Sequence, residues 1–191
     1  MKNLLFIGSA VLLLFGACAG YAQDPIEWDS SDPKTYYDLG KGLMRMREYA
    51  SALEAFRSAY EKDSGYVDAL FAQGEALERL ERYDEMTEVY QRVLRHKRAT
   101  PRQHAEAHCA MGTRAFKEER WEPAQQHFAS AVEVDDSHAR SWYLLGRCHE
   151  RAYRWEKAAD AYGKAVDHAP ENRGYEKALD RALDALMWGG E

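Results

Sequence analysis

His104 and His108 stand four residues apart in the stretch HAEAH. On a helix that spacing puts both imidazoles on one face, where they could hold a divalent metal. The glutamate between them is not where a zinc-protease helix carries its general base, and no third ligand follows at a fixed distance. His127, His149 and His168 are scattered. Cys109 and Cys148 could pair in an oxidising compartment. Their offsets from Gly112 and Gly146, however, set them at different heights, and a bridge needs Cα atoms within about 7 Å. Cys148-His149 lacks the upstream cysteine of a haem attachment site. No glycine-rich phosphate loop and no nucleophile elbow occurs, and the carboxylates are interspersed with basic residues on helix surfaces. These residues assign no catalytic group, cofactor or metal ligand, and the expectation is a protein that is not an enzyme. A metal-dependent enzyme at His104 and His108 is the weakest alternative.

A third cysteine, Cys18, lies in a different context. Residues 1–22 begin with Lys2, run through the apolar stretch LLFIGSAVLLLF and end in the small-residue segment GACAGYA. This is the pattern of an export signal and lies outside the fold. Three fates follow. A signal peptidase could cut after Ala22. Phe15-Gly16-Ala17-Cys18 resembles a permissive lipobox, which would make Cys18 a lipidated N-terminus. Alternatively, residues 4–22 carry no charge and are nearly long enough to span a bilayer uncut. Lys2 before the run and Asp24, Glu27, Asp29 and Asp32 after it orient the remainder outward. The expected location is the periplasm, or a membrane anchor facing it. Any membrane contact would come through that lipid or leader.

The elements that must position the remaining residues are repeated. Gly40, Gly74, Gly112 and Gly146 recur at spacings of 34, 38 and 34 residues, the middle gap being lengthened by Pro101–His104. Around each glycine the same offsets carry an aromatic or large residue, then small residues flanking an aromatic. These are Ala52, Phe56 and Ala59; Met86, Tyr90 and Val93; Ala124, Phe128 and Ala131; Ala158, Tyr162 and Ala165. A fixed period of this size marks a helical array. Close approach at glycine and alanine lets two antiparallel helices pack, and each pair must stack on the next to bury its apolar face. The windows are residues 33–66, 67–100, 105–138 and 139–172, preceded by a linker at 23–32. In the first two windows helices are expected over 33–47, 50–62, 67–82 and 84–98. Asp32-Pro33 and Thr100-Pro101-Arg102-Gln103 are start signals, the second a capping box. Pro123 opens the second helix of the third window, and Asp136-Ser137 caps the fourth. The four extra residues would lengthen the first helix of the third window or make a looser turn. Residues 173–191 form a further helix with an apolar stripe of Tyr175, Ala178, Leu179, Ala182, Leu183, Leu186 and Met187, a cap with a polar outer face.

This pattern resembles the tetratricopeptide repeat over residues 33–172. Met86, Val93, Gln73 and His108 depart from it. The resemblance implies an all-α helical-repeat solenoid of four helix-turn-helix hairpins plus the terminal helix. It also implies that the first helix of each hairpin lines a concave groove holding a peptide or protein segment. The implied groove residues are Lys34, Tyr37, Lys41 and Arg45; Asp68, Phe71, Glu75 and Glu78; Cys109, Thr113, Phe116 and Lys117; Arg140, Tyr143, Arg147 and Arg151. On this reading the first and last hairpins are basic and the second acidic. Some relatives clamp a carboxylate with Lys, Asn and Arg; asparagine is missing from this set, so that clamp is not assigned.

The 191 residues carry a net charge of −6, with 46% apolar and 30% charged residues. That suits a folded body and disfavours nucleic acid, whose binding needs a basic face. The reading is a non-catalytic adaptor of the bacterial cell envelope whose partner is a protein or peptide. The alternative is a self-associating structural subunit, a homo-oligomer joined through Trp28 or the Leu183/Met187 end.

Overall fold

The computed structural model describes residues 31–189. The leader, Cys18, Trp28 and most of the linker therefore lie outside the described residues. Among those described there are nine α-helices and no strand: α1 (Pro33–Arg45), α2 (Tyr49–Lys62), α3 (Val67–Arg79), α4 (Tyr83–Arg95), α5 (Pro101–Lys117), α6 (Trp121–Val134), α7 (Ala139–Arg151), α8 (Trp155–His168) and α9 (Arg173–Trp188). Each packs on the helix before it and the helix after it, making a solenoid of four hairpins closed by α9.

The start signals act as their residue types require. Asp32 Oδ1 accepts from the Lys34 amide at 2.9 Å. Thr100 and Gln103 form the reciprocal box: the Gln103 amide donates to Thr100 Oγ1 at 3.2 Å, and the Thr100 amide to Gln103 Oε1 at 2.9 Å. That cap places the four extra residues in helix, so α5 has 17 residues where α1, α3 and α7 have 13. The Asp136-Ser137 cap does not form. The N-cap of α7 is His138, and the Ser137 amide and hydroxyl donate instead to Asp135 Oδ1. Asp136 contributes its carbonyl, which accepts from Trp142 Nε1 at 2.7 Å.

The first helices of the hairpins end earlier than their apolar pattern does. Arg47, Glu81, Glu119 and Tyr153 have φ of 63°, 59°, 58° and 54°. Each is the left-handed residue that closes a helix through a paired return bond. In the third hairpin the Glu119 amide donates to Phe116 O at 3.2 Å and the Arg120 amide to Ala115 O at 2.9 Å. The other three turns repeat this arrangement. Glycine is the usual residue here, and its absence hid these stops in the sequence. Glu119→Gly is expected to stabilise the chain by about 0.5–1 kcal/mol, because it removes a Cβ from a conformation that penalises one. Urea denaturation reads the change, and a loss of stability would contradict this account of the turn.

Packing turns on the four glycines. A Cβ added at Gly40, Gly74, Gly112 or Gly146 would lie 2.4, 2.6, 2.7 or 2.6 Å from the ring of Phe56, Tyr90, Phe128 or Tyr162. Those four rings are at most 1% exposed. The flanking small residues of α2, α6 and α8 are fully buried, as are the bulkier Met86 and Val93 of α4. Gln73, at an expected leucine position, is buried and donates through Nε2 to Phe56 O at 3.3 Å, a polar link from the second hairpin back to the first.

The last helix departs from expectation. Tyr175, Ala178, Leu179 and Ala182 pack inward, but Leu183, Leu186, Met187 and Trp188 are 43%, 37%, 67% and 82% exposed. The outer face of α9 is therefore partly apolar, because only one side of the helix has a neighbour to cover it. A bidentate ion pair pins this helix: Arg181 Nε and Nη2 donate to Glu150 Oε1 and Oε2 at 2.7 and 2.9 Å, and Tyr162 Oη donates to the same carboxylate. Burial pushes the Glu150 carboxyl up, but the bonds from Arg181 and Tyr162 outweigh it and hold the group below its usual range. Since Arg181 is half exposed, Arg181→Ala is expected to cost only about 1 kcal/mol, read as earlier proteolysis within α9.

Candidate functional site

The first helices of the hairpins stand side by side, and their facing residues touch from one hairpin to the next. Tyr37 of α1 lies 5.1 Å ring to ring from Tyr66 at the start of α3. Gln103 of α5 donates to Asp68 of α3 at 2.6 Å. Arg147 of α7 sits 4.8 Å over the ring of Phe116 of α5, and Tyr143 stacks on Tyr175 of α9 at 4.8 Å. These contacts join α1, α3, α5, α7 and α9 into one continuous wall.

The residues expected on that wall fall into three groups. Some belong to the interior. Cys109 is 3% exposed and lies behind the surface rather than on it, so it cannot face a partner. The Thr113 hydroxyl is occupied by the Cys109 carbonyl at 2.7 Å. The four aromatics, Tyr37, Phe71, Phe116 and Tyr143, are half-buried. Each leans on a ring of its own hairpin: Phe56 at 5.7 Å, Tyr90 at 5.5 Å, Trp121 at 5.0 Å and Tyr162 at 5.6 Å. They floor the groove and hold the hairpins closed at the same time.

A second group is neutralised locally. Asp38 accepts from Lys34 and lies 3.7 Å from Lys41, so the first hairpin is less basic than its groove lysines alone suggest. Arg45 at the end of α1 remains exposed.

The third group is charged and unmatched. Glu75 and Glu78 form no ion pair among the described residues, and Glu106 of α5, itself paired with Arg102 at 3.1 Å, adds its charge from the next hairpin. Glu75 keeps an exposed edge, yet burial by the surrounding wall, with the charges of Glu106 and Glu78 added, pushes its carboxyl up. At the other end Lys117, Arg140, Arg147 and Arg151 also form no ion pair among the described residues. Arg147 lies on Phe116, and Arg151 lies 4.1 Å over Trp121. Stacking of this kind orients a guanidinium while leaving its N–H groups open to an anion. Glu106 stands six residues before Gly112, the offset that Lys34, Asp68 and Arg140 keep from their own glycines, and was missed because the sequence weighs it only as the glutamate between His104 and His108.

The histidines and thiols lie elsewhere. His108 does not work with His104. Its Nδ1 faces His127 Nδ1 of α6 at 3.3 Å, a hydrogen bond between two imidazoles. Burial, with His127 and His104 adding their charges, lowers His108 to about 4, and burial lowers His127 as well. His104 Nε2 is buried with no hydrogen-bond partner among the described residues. No group of three metal-ligating side chains occurs among the described residues. Cys109 and Cys148 are both buried and free, and burial raises Cys109 and pushes Cys148 up to about 12. Thiols so far above neutrality are poor nucleophiles. An open cleft on α7 and α8 is lined by Trp142, Leu145, His149, Lys157 and Lys164. No described helix is long and apolar enough to cross a membrane.

A family profile described as tetratricopeptide repeat matches residues 37–104 and 109–173. The chain is 44% identical over 43 residues, 22% of its length, to 4% of the general transcriptional corepressor ssn6 of Schizosaccharomyces pombe. It spans at most about a fifth of the curated relatives it matches. Among solved structures it is similar to MamA from Desulfovibrio magneticus RS-1, with a TM-score of 0.62 and 22% identity over 83% of this chain and 92% of that one. It is also similar to YrrB, described as a TPR protein with an unusual peptide-binding site, with a TM-score of 0.61 and 19% identity over 85% and 81%. At these identities the structural likeness speaks to the fold alone. Since the profile covers more than half of its residues, the chain belongs to the tetratricopeptide repeat family.

Proposed function

We propose that this chain is a non-catalytic adaptor of the bacterial cell envelope, holding a peptide or protein segment on the wall formed by its first helices. The observation that carries this reading is the set of unmatched charges along one face, with half-open aromatics between them. Aromatic and arginine side chains so placed often dominate interface energy. The envelope assignment rests on residues 1–22, with cleavage after Ala22, lipidation at Cys18 or a retained leader as the three fates.

Pull-down from envelope extract tests the groove. Tyr143 supports α8 and α9, so Tyr143→Ala would disturb the fold itself. Arg140→Glu with Arg151→Glu is the cleaner variant, because both residues are exposed. Loss of a partner is the expected result, and equal recovery of every partner would remove the groove from the account. Mass spectrometry of the mature N-terminus separates the three fates, and an unprocessed chain in the cytosolic fraction would rule out export.

A second reading, self-association through the end of α9, is favoured by the exposure of Leu183, Met187 and Trp188. Sedimentation at high concentration checks it: a strict monomer counts against it.

A further inference from the structure

We infer that the segment held on this wall is dipolar, with basic residues at one end and acidic residues about six positions away. This deepens the groove reading and rests on it.

The charges on the wall are sorted by position. Asp68, Glu75 and Glu78 of α3 and Glu106 of α5 gather at one pole, and their summed field reaches back to α1, where Asp68 and Glu75 help to raise Tyr37. Gln103 satisfies Asp68, and Arg102 lies 3.1 Å from Glu106, but Glu75 and Glu78 form no ion pair among the described residues, although Arg79 one turn along α3 lends Glu75 some opposing charge. A lysine or arginine brought beside Glu75 would supply one and relieve the repulsion among the three glutamates. At the other pole Arg140, Arg147 and Arg151 line up at helical spacing along α7, with Lys117 beside them on α5. None of them forms an ion pair among the described residues: Glu150, the acid of α7, is bonded to Arg181 and feels Arg147 only at longer range. Two of the three guanidiniums lie over aromatic rings, which restricts where their donors can meet carboxylates. Between the poles Phe71 and Phe116 keep part of each ring open for an apolar residue.

A ligand of one sign would be attracted at one pole and repelled at the other, so this surface selects for charge order as well as charge content. The spacing follows from the helices. The poles sit on α3 and α7, two first-helix steps apart, and at about 10 Å per step that is roughly 20 Å. An extended chain covers it in about six residues.

Fluorescence anisotropy with labelled synthetic dodecapeptides tests this. One peptide carries three lysines at one end and three glutamates at the other, around a central apolar residue, and is made in both chain directions. A second has the same composition with the charges interleaved. Two more are all-basic and all-acidic. The better-bound direction of the block peptide is expected to bind at least tenfold more tightly than the interleaved one at low salt, with the difference shrinking as ionic strength rises. Arg140→Glu with Arg151→Glu is expected to abolish that preference and favour the all-basic peptide. Should that pair unfold, Lys117→Glu, an exposed single change, is expected to reduce the preference in the same direction. Equal affinity for block and interleaved peptides overturns the charge assignment and leaves groove binding standing. No measurable binding of any peptide overturns both.

Discussion

Phe128→Ala is expected to cost about 3–5 kcal/mol and to lower the melting temperature by roughly 10 °C or more. The ring of Phe128 is fully buried in a cluster with Ala115, Ala124, Val132, Leu144 and Leu145, so its removal leaves a void that helices α5, α6 and α7 cannot close together. The complementary change, Gly112→Ala, puts a methyl 2.7 Å from the same ring and is expected to cost about 1–3 kcal/mol by overpacking. The two substitutions act on one contact, so the double variant is expected to be less destabilised than the sum. Thermal and urea denaturation by circular dichroism read all three. A neutral Gly112→Ala, or strict additivity, would show that the glycine and the ring do not depend on each other.

Stability is also expected to fall as pH drops from about 6.5 towards 4. The cause is the histidines. Burial lowers His108 to about 4, with His127 and His104 contributing, and burial lowers His127, His138 and His149 as well. A base whose folded pKa is depressed binds its proton more readily when unfolded. Its contribution is therefore present above the unfolded value near 6.5 and is lost as pH falls to the folded value. For His108 that is about 2 kcal/mol once screening by the water reaching its half-buried ring is allowed for. Glu150 adds a loss of the same sign at lower pH, because its folded pKa is held below the unfolded one and its bond to Arg181 fails as it protonates. Urea midpoints at pH 7, 5.5 and 4.5 measure the slope. His108→Phe places an aromatic where the other hairpins carry Tyr36, Leu70 and Trp142, and is expected to flatten the curve between pH 6.5 and 4.5. An unchanged slope would take the imidazole pair out of the account.

The sequence by itself determined the hairpins, their order and their closest contacts. Each contact joins a glycine to a ring 16 residues later, and each window repeats that pair with the same small residues beside it. The Thr100/Gln103 box likewise sits within a few residues and was legible, although only the structure decided between a longer helix and a looser turn for the insertion that follows it. Such signals are legible because both partners of each interaction lie within one repeat, at a fixed offset.

What only the tertiary structure decided lies between repeats, in side-chain pairs that a single repeat carries and the others do not, or in backbone conformations without a residue signature. Four first helices stop at left-handed residues that are not glycine. His108 finds His127 on the facing helix of its hairpin, Arg181 reaches Glu150 31 residues away, and Gln103 reaches Asp68 35 residues away. The candidate groove changed most. Cys109 withdrew into the interior, Asp38 offset two lysines, and Glu106 joined an acidic pole that α3 alone had suggested. The physical reason is that surface charges carry no packing constraint and so leave no period in the sequence. Which of them meet depends on how far each hairpin rotates against the last, and that rotation is set by the buried side chains of two hairpins at once.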